Sequence, residues 1–384
     1  LSFVQDTEVK RLQKIINKPA KIGTYHENDV LFLLKDLSSV ELEDSAINRE
    51  SKIQSGGHYS ESLPIEYQPP EDYVDVFWDT LQQYKRKVAL CAGIVAEQIY
   101  RLKGPSTILV SLARAGTPVG ILIKRYIDLQ YGVNLPHYSI SIIRDKGIDE
   151  NALLYIHQAH PNANIQFVDG WTGKGAISLE LIKACSHYEK KYGIKLDAAL
   201  AVLADPGCCT TLYGTREDFL IPSACLNSTV SGLVSRTVLN ESYIGKDDFH
   251  GAKFYKNLLK ADVSNEFIDV IAAEFSHIAT EAKETAAKLL NTNIDSSYQG
   301  MEDVKKIQAE FCIDNTHFIK PGVGETTRVL LRRVPWKILL RDPSSPFIKH
   351  ILMLAEEKNV EVLVYPNMKY LCCGLIKKVK ERQI

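Results

Sequence analysis

Apolar residues recur at helical spacing from Val74 to Leu102, and the run stops at Lys103-Gly104-Pro105, so the pattern predicts one long helix there. Upstream, residues 1–60 are mixed, with a helical stretch near Asp6–Ile16 and an apolar segment near Val30–Leu37. The strip Glu61–Glu71 carries three prolines and cannot be helical throughout. Downstream, short β-branched runs alternate with helical periods. Strands are expected at Thr107–Leu112, Tyr138–Ile143, Asn164–Val168 and Ala198–Leu203, and helices at Pro118–Leu129, Asn151–His157 and Ala176–Tyr192. That alternation argues for an α/β domain built on a parallel sheet.

After Leu239 the pattern changes. Val263–Leu290 reads as one long helix rich in Ala and Glu, and the polar strip Asn291–Gly300 reads as a linker. A smaller alternating unit follows: helices near Met301–Phe311, Glu325–Arg333 and Pro346–Lys358, strands at Lys337–Leu340 and Val360–Val364. Two domains are therefore expected, 1–295 and 301–384.

Composition adds the class and charge adds an asymmetry. The 384 residues are 45% hydrophobic and 24% charged, ordinary for a globular chain and wrong for a disordered or collagen-like one. No apolar run approaches the roughly 20 residues that a membrane-spanning helix needs. Net charge is −1, yet His317–Ile384 holds 13 Lys+Arg against 6 Asp+Glu, a balance of +7. A basic tail on an acidic body makes nucleic acid the first candidate partner. The eight cysteines form no CxxC pair, so neither structural zinc nor a disulfide framework is expected, and a reduced cytoplasmic setting fits.

Two strand-to-helix turns carry candidate chemistry. Asp169 ends a strand and is followed by Thr172-Gly173-Lys174-Gly175 and then a helix, a loop whose free N–H groups and helix start suit a phosphate. Ala113-Arg114-Ala115-Gly116 brings a cation and backbone donors to a second anionic group. In an open parallel sheet both turns lie at the carboxyl ends of strands, where ligands bind. Cys208 and Cys209 follow Asp205-Pro206-Gly207 after another strand and reach the same edge. A nucleophilic thiol there needs a base or cation, for which His58 and His250 are candidates; the alternative is a pair of thiols lining a pocket. The Gly-, Ser- and Thr-rich segment Asp205–Asn240 could rim the pocket, with Asn227 among its polar residues.

These residues resemble the type I phosphoribosyltransferases, orotate phosphoribosyltransferase above all. The resemblance implies that Thr172, Gly173, Lys174 and Gly175 hold the 5-phosphate of phosphoribosyl pyrophosphate (PRPP). It implies that Ala113 to Gly116 hold its pyrophosphate with Mg²⁺, and that Arg144, Asp145 and Lys146 form a closing loop. Ser55, Gly56 and Ser60, in Ser55-Gly-Gly-His-Tyr-Ser60, resemble that enzyme's base-site segment. The family's second acidic residue after Asp169 is replaced by Gly170. As a whole the pattern is similar to the StiP group of tellurite-resistance and stress operons, which has been named both phosphoribosyltransferase-like and a cysteine protease and carries a C-terminal Pelota-type module.

The basic tail has the corresponding resemblance. Gly322-Val323-Gly324-Glu325-Thr326-Thr327-Arg328 is similar to the helix start of Pelota and kink-turn-binding ribosomal proteins, with Gly324 in place of Asn. From the residues themselves, a Gly-rich turn opening a helix can meet phosphate, and Arg328 and Arg332 with Arg333 supply cations. The RNA-binding set expected is Gly322, Gly324, Glu325, Thr327, Arg328 and Arg332.

The leading expectation is a Mg²⁺-dependent pentosyltransferase acting on PRPP or a related phosphorylated nucleotide precursor, fused to an RNA-binding module. Arg114 and Lys146 would offset charge on the departing pyrophosphate. The alternative is a cysteine peptidase or thiol hydrolase using Cys208 or Cys209, and a second alternative is a non-catalytic, nucleotide-sensing RNA-binding protein. Self-association as a homodimer is a further expectation.

Overall fold

The long helix expected from the apolar period runs from Glu71 to Lys103 (α1), beginning after Pro70 and ending where Gly104 takes a φ of 73°. A computed structural model describes residues 16–45, 48–49, 52, 56–162, 164–292 and 295–376. The helix expected near Asp6–Ile16 therefore lies almost wholly outside the described residues. Ser55 lies outside them too.

Strands Leu31–Phe32 (β1), Thr107–Ala113 (β2), His137–Ile143 (β3), Gly147–Ile148 (β4), Asn164–Trp171 (β5), Leu200–Ala204 (β6) and Leu212–Thr215 (β7) form the central sheet. Its order is β1-β3-β2-β5-β6-β7 with every neighbour parallel, and β4 folds back antiparallel on β3. Burial on both faces explains why these strands read as continuous apolar runs. Ile108, Val110 and Leu112 point to the side covered by helices Glu150–Ala159 (α3) and Ala176–Tyr192 (α4). Leu109 points to the other, covered by α1, Gly116–Tyr131 (α2) and Phe275–Leu290 (α6).

The sheet is thus the mixed α/β, parallel architecture expected, with two local differences. The single helix expected over Val263–Leu290 is two, Ser264–Ala272 (α5) and α6. The break at Ala273-Glu274 re-aims the chain so that Phe275 is buried edge-on against Tyr126, at 5.4 Å between ring centroids. Strand β7 was hidden in the polar segment after Cys209, because one short edge strand carries too little pattern.

The C-terminal unit is a four-stranded sheet of Ile319–Pro321 (β8), Pro335–Leu340 (β9), Glu361–Val364 (β10) and Cys372–Ile376 (β11), in the order β8-β11-β9-β10. Helix Gln299–Glu310 (α7) covers one face through Val304 and Ile307. Helices Val323–Arg332 (α8) and Lys349–Glu357 (α9) cover the other. Val323, Leu330, Ile338 and Leu371 share one buried apolar cluster with Ile94, Phe219 and Ile221 of the body. The unit is therefore packed into the body, and the strip expected as a free linker is partly anchored. Tyr298 donates its backbone N–H to the Cys208 carbonyl at 2.9 Å, and Gly300 donates to Gly207 at 3.1 Å.

Candidate active site at the strand ends

The turn after β6 holds the cysteine pair. Cys208 follows Asp205-Pro206-Gly207 and adopts a left-handed φ of 54°, a conformation that costs a non-glycine residue energy and clusters at functional turns. Asp205 organises that turn: its carboxylate accepts the N–H of Cys209 at 2.7 Å, that of Thr210 at 3.3 Å and the Thr172 hydroxyl. Burial pushes the Asp205 carboxyl above the usual range, against these donors and Arg216, whose Nε lies 3.6 Å from it.

The two thiols differ. Cys209 is 1% exposed, and burial pushes its thiol up to about 12, so it is inert as a nucleophile at neutral pH. Its Sγ lies 3.8 Å from the Gly173 carbonyl. Cys208 keeps 7% of its surface exposed. Among the described residues, no histidine nitrogen bonds either thiol. His58 Nδ1 is 2.8 Å from the Ser60 hydroxyl, and His250 Nδ1 is 2.8 Å from that of Ser141. The two candidate bases are thus engaged elsewhere. Ser60 is fully buried.

The Thr172–Gly175 loop runs alongside Cys209, and its lysine and one carbonyl are bonded to the C-terminal unit. Lys174 Nζ donates to the Thr316 carbonyl, and the Tyr370 hydroxyl donates to the Gly173 carbonyl at 2.9 Å. Gly175 has a φ of +83°, and a Cβ there would meet the Tyr298 ring at 2.7 Å and Cys209 Sγ at 3.0 Å. The C-terminal unit thus roofs this edge with Tyr298, Thr316 and Tyr370. Desolvation, then Lys320 nearby, lowers the Lys174 ammonium to about 8. Asp169 lines the adjoining cavity with Lys174 and Arg144, and burial raises its carboxyl to about 7.

The first turn faces a different part of the cleft. Gly116 packs so closely that a Cβ would lie 2.4 Å from the Val168 carbonyl, which sets the Ala113–Gly116 turn against β5. Gly170 carries the same contact from the other side: its Cβ would be 3.3 Å from the Ala115 carbonyl. Arg114 turns away from the cysteines, donating to the Val234 carbonyl at 3.3 Å in a cavity shared with Asn227, Arg328 and Arg332. Lys146 is exposed in the β3–β4 turn. The Thr172–Gly175 loop therefore lies between the cysteine turn, which it meets through Cys209 and Asp205, and the cavity lined by Asp169 and Lys174, while Arg114, Lys146 and His58 form no hydrogen bond to either thiol among the described residues.

In the basic unit, Gly322 has a φ of +93° and opens α8 beside Asp218. Gly324 faces Ala224 at 3.3 Å from where a Cβ would stand, Glu325 reaches Arg328 at 3.4 Å, and Arg332 donates to the Cys225 carbonyl at 2.5 Å. Thr327 is buried, its hydroxyl on the Val323 carbonyl and His350. The expected RNA face thus looks toward the body. Lys320, Tyr298, Tyr370 and Asp218 were missed as site residues, since each acts through a contact with a distant segment.

Comparison with known proteins bears on the chemistry. A family model described as "Tellurite-like stress resistance cysteine protease StiP" matches residues 23–272, and one described as "PELOTA RNA binding domain" matches residues 298–378. The curated "Cysteine protease StiP" of Acinetobacter baylyi is 34% identical over 378 residues, 95% of this chain and 97% of that protein. No solved structure matches the chain significantly. The pentosyltransferase expectation is corrected by the StiP family match and the curated relative, both described as cysteine proteases. Among the described residues no group of three or more His, Cys, Asp or Glu could hold a metal ion. No helix among them is long and apolar enough to cross a membrane. With one family model spanning more than half of its length and a relative aligned along nearly all of it, the chain belongs to the StiP family.

Proposed function

We propose that the protein is a cysteine peptidase whose nucleophile is Cys208, built on a body of residues 1–295 and joined to an RNA-binding unit of residues 301–384. The observation that carries the reading is the turn after β6, which holds Cys208 at a φ of 54° at the ligand edge of a parallel sheet. The family's cysteine-protease description and that of its curated relative support the same chemistry. The Cys208 sulfur would attack a scissile carbonyl carbon, forming a C–S bond, and the proton it gives up would leave on the amine as the C–N bond breaks; water would then cleave the thioester, giving the carboxylic acid and returning a proton to the sulfur.

Asp205 positions the turn through the Cys209 and Thr210 N–H groups, and Cys209 fills the space beneath it. Tyr298 and Gly300 hold the same turn from the C-terminal side through the Cys208 and Gly207 carbonyls. The match over 298–378 supports RNA as the partner of the C-terminal unit.

The test uses the full chain with denatured casein as substrate and iodoacetamide as a thiol probe, read by peptide mapping. Cys208→Ser is expected to abolish proteolysis while Cys209→Ser retains part of it, and alkylation of Cys208 is expected to outrun that of Cys209. Undiminished proteolysis in Cys208→Ser would remove Cys208 from the mechanism.

A further inference from the structure

A cavity of about 810 Å³ runs along the seam between the body and the C-terminal unit. Arg114 and Arg236 line it from the body, and Lys320, Arg328 and Arg332 line it from the unit. A second cavity of about 220 Å³, lined by Arg144 and Lys174, also has Lys320 and Glu325 in its wall. Two residues common to both make the pair one groove, with cations along its length.

Those cations are poorly balanced. Arg114, Arg236 and Arg332 donate to neutral backbone carbonyls, of Val234, Ser62 and Cys225. Seven Lys and Arg side chains line the larger cavity against three carboxylates, of which Glu325 pairs with Arg328 at 3.4 Å and Asp44 with Lys52 at 2.5 Å. Glu66, the third carboxylate, accepts the Ser228 hydroxyl at 2.6 Å and offsets part of the charge of Arg114 and Arg332. Packing this many cations into a partly desolvated seam is unfavourable until an anion enters. Burial, with neighbouring arginines adding to it, lowers both Arg236 and Arg332 to about 10, which agrees with that geometry.

Aromatic faces are interleaved with the charges. The Tyr59 ring lies 5.6 Å from the Arg144 guanidinium and 5.4 Å from that of Arg236, and the Tyr73 ring lies 5.6 Å from that of Arg332. A cationic channel with aromatic platforms suits a phosphodiester backbone with unstacked bases, and its two walls leave room for one strand. One flank of α8, carrying Glu325, Arg328 and Arg332 within the segment matched to an RNA-binding family, lines this groove.

We propose that single-stranded RNA threads the seam, so that Arg114 and Arg236 of the body hold the same backbone as Arg328 and Arg332 of the C-terminal unit. This rests on the reading that the C-terminal unit binds RNA, and it moves the site from that unit alone to the join between the two.

The test measures binding of a fluorescent oligouridylate of about twelve nucleotides to the full chain by anisotropy, over a range of salt. Arg236→Gln and Arg114→Gln are each expected to weaken binding several-fold and to reduce the slope of log K against log salt by about 0.7, as Arg328→Gln does. Lys260→Gln, on an exposed surface away from the groove, is expected to change neither. Thermal melting of each variant identifies a misfolded one, and Arg236→Gln stands in if Arg114→Gln fails to fold. If Arg328→Gln weakens binding and the body variants do not, RNA lies on the C-terminal unit alone and the proposal is overturned. No binding by the unaltered chain overturns the RNA reading itself. Displacement by uridine 5′-monophosphate at concentrations comparable to the oligonucleotide would mark a mononucleotide site and overturn it as well.

Discussion

Asp218 Oδ1 accepts the backbone N–H of Val323 at 2.8 Å, and its other oxygen accepts that of Leu371 at the same distance. One buried carboxylate of the body therefore holds both the start of α8 and the approach to β11. Asp218→Ala leaves two buried N–H groups without acceptors, at roughly 1–3 kcal/mol each. A fall in chemical-denaturation midpoint is expected, and Asp218→Asn, which keeps one acceptor, should fall between. An unchanged midpoint in the alanine variant would show that apolar packing alone holds the seam.

Asp169 gives a pH dependence with a definite sign. Burial raises its folded-state pKa from 3.8 to about 7, so the folded protein holds a proton that the unfolded chain releases. The stability linked to this group is full below about pH 4 and is lost as pH rises through 7. Asp169→Asn removes the cost of ionisation. Its stability relative to the unaltered chain should therefore grow between pH 5 and pH 8, by on the order of 2 kcal/mol. A difference independent of pH would place the carboxylate in a more solvated setting than the cavity suggests.

Gly175 is the tightest point under the roof. Gly175→Ala must place a Cβ 2.7 Å from the Tyr298 ring, at a φ of +83° that alanine resists. The variant should lose at least about 1 kcal/mol of stability. Because the ring is displaced from above Cys209, alkylation of Cys209 should speed up. Slow alkylation with full stability would mean the loop relaxes without moving Tyr298.

The histidines named as bases bond to serines and not to thiols. His58→Gln and His250→Gln are thus expected to leave the pH dependence of Cys208 alkylation unchanged. A shift in that profile for either variant would bring the imidazole to the thiol in a conformation other than this one.

Much of the body was legible because its signals are local. The helix Ala176–Tyr192 has the expected bounds, and the strands of the parallel sheet lie where β-branched runs placed them, since burial on both faces makes such runs continuous. The site was legible only in part. The turns after β5 and β6 meet, with Cys209 Sγ at the Gly173 carbonyl, because parallel strands bring successive turns to one edge. The use made of those turns was not legible. The Thr-Gly-Lys-Gly loop reads as a free strand-end turn, whereas Tyr370 and Thr316, well over 100 residues away in sequence, bond its Gly173 carbonyl and its lysine.

The sequence by itself determined an α/β body, a basic C-terminal unit and the residue types at the strand ends, because periodicity, turn chemistry and charge are written over a few neighbouring positions. Only the tertiary structure decided that the unit docks over Cys208 and Cys209, and that its arginines face those of the body across a groove. Contacts such as Tyr298 to Cys208 and Asp218 to Val323 join segments about 100 residues apart, and their energy depends on backbone groups that every residue carries. Such bonds leave no pattern in the sequence.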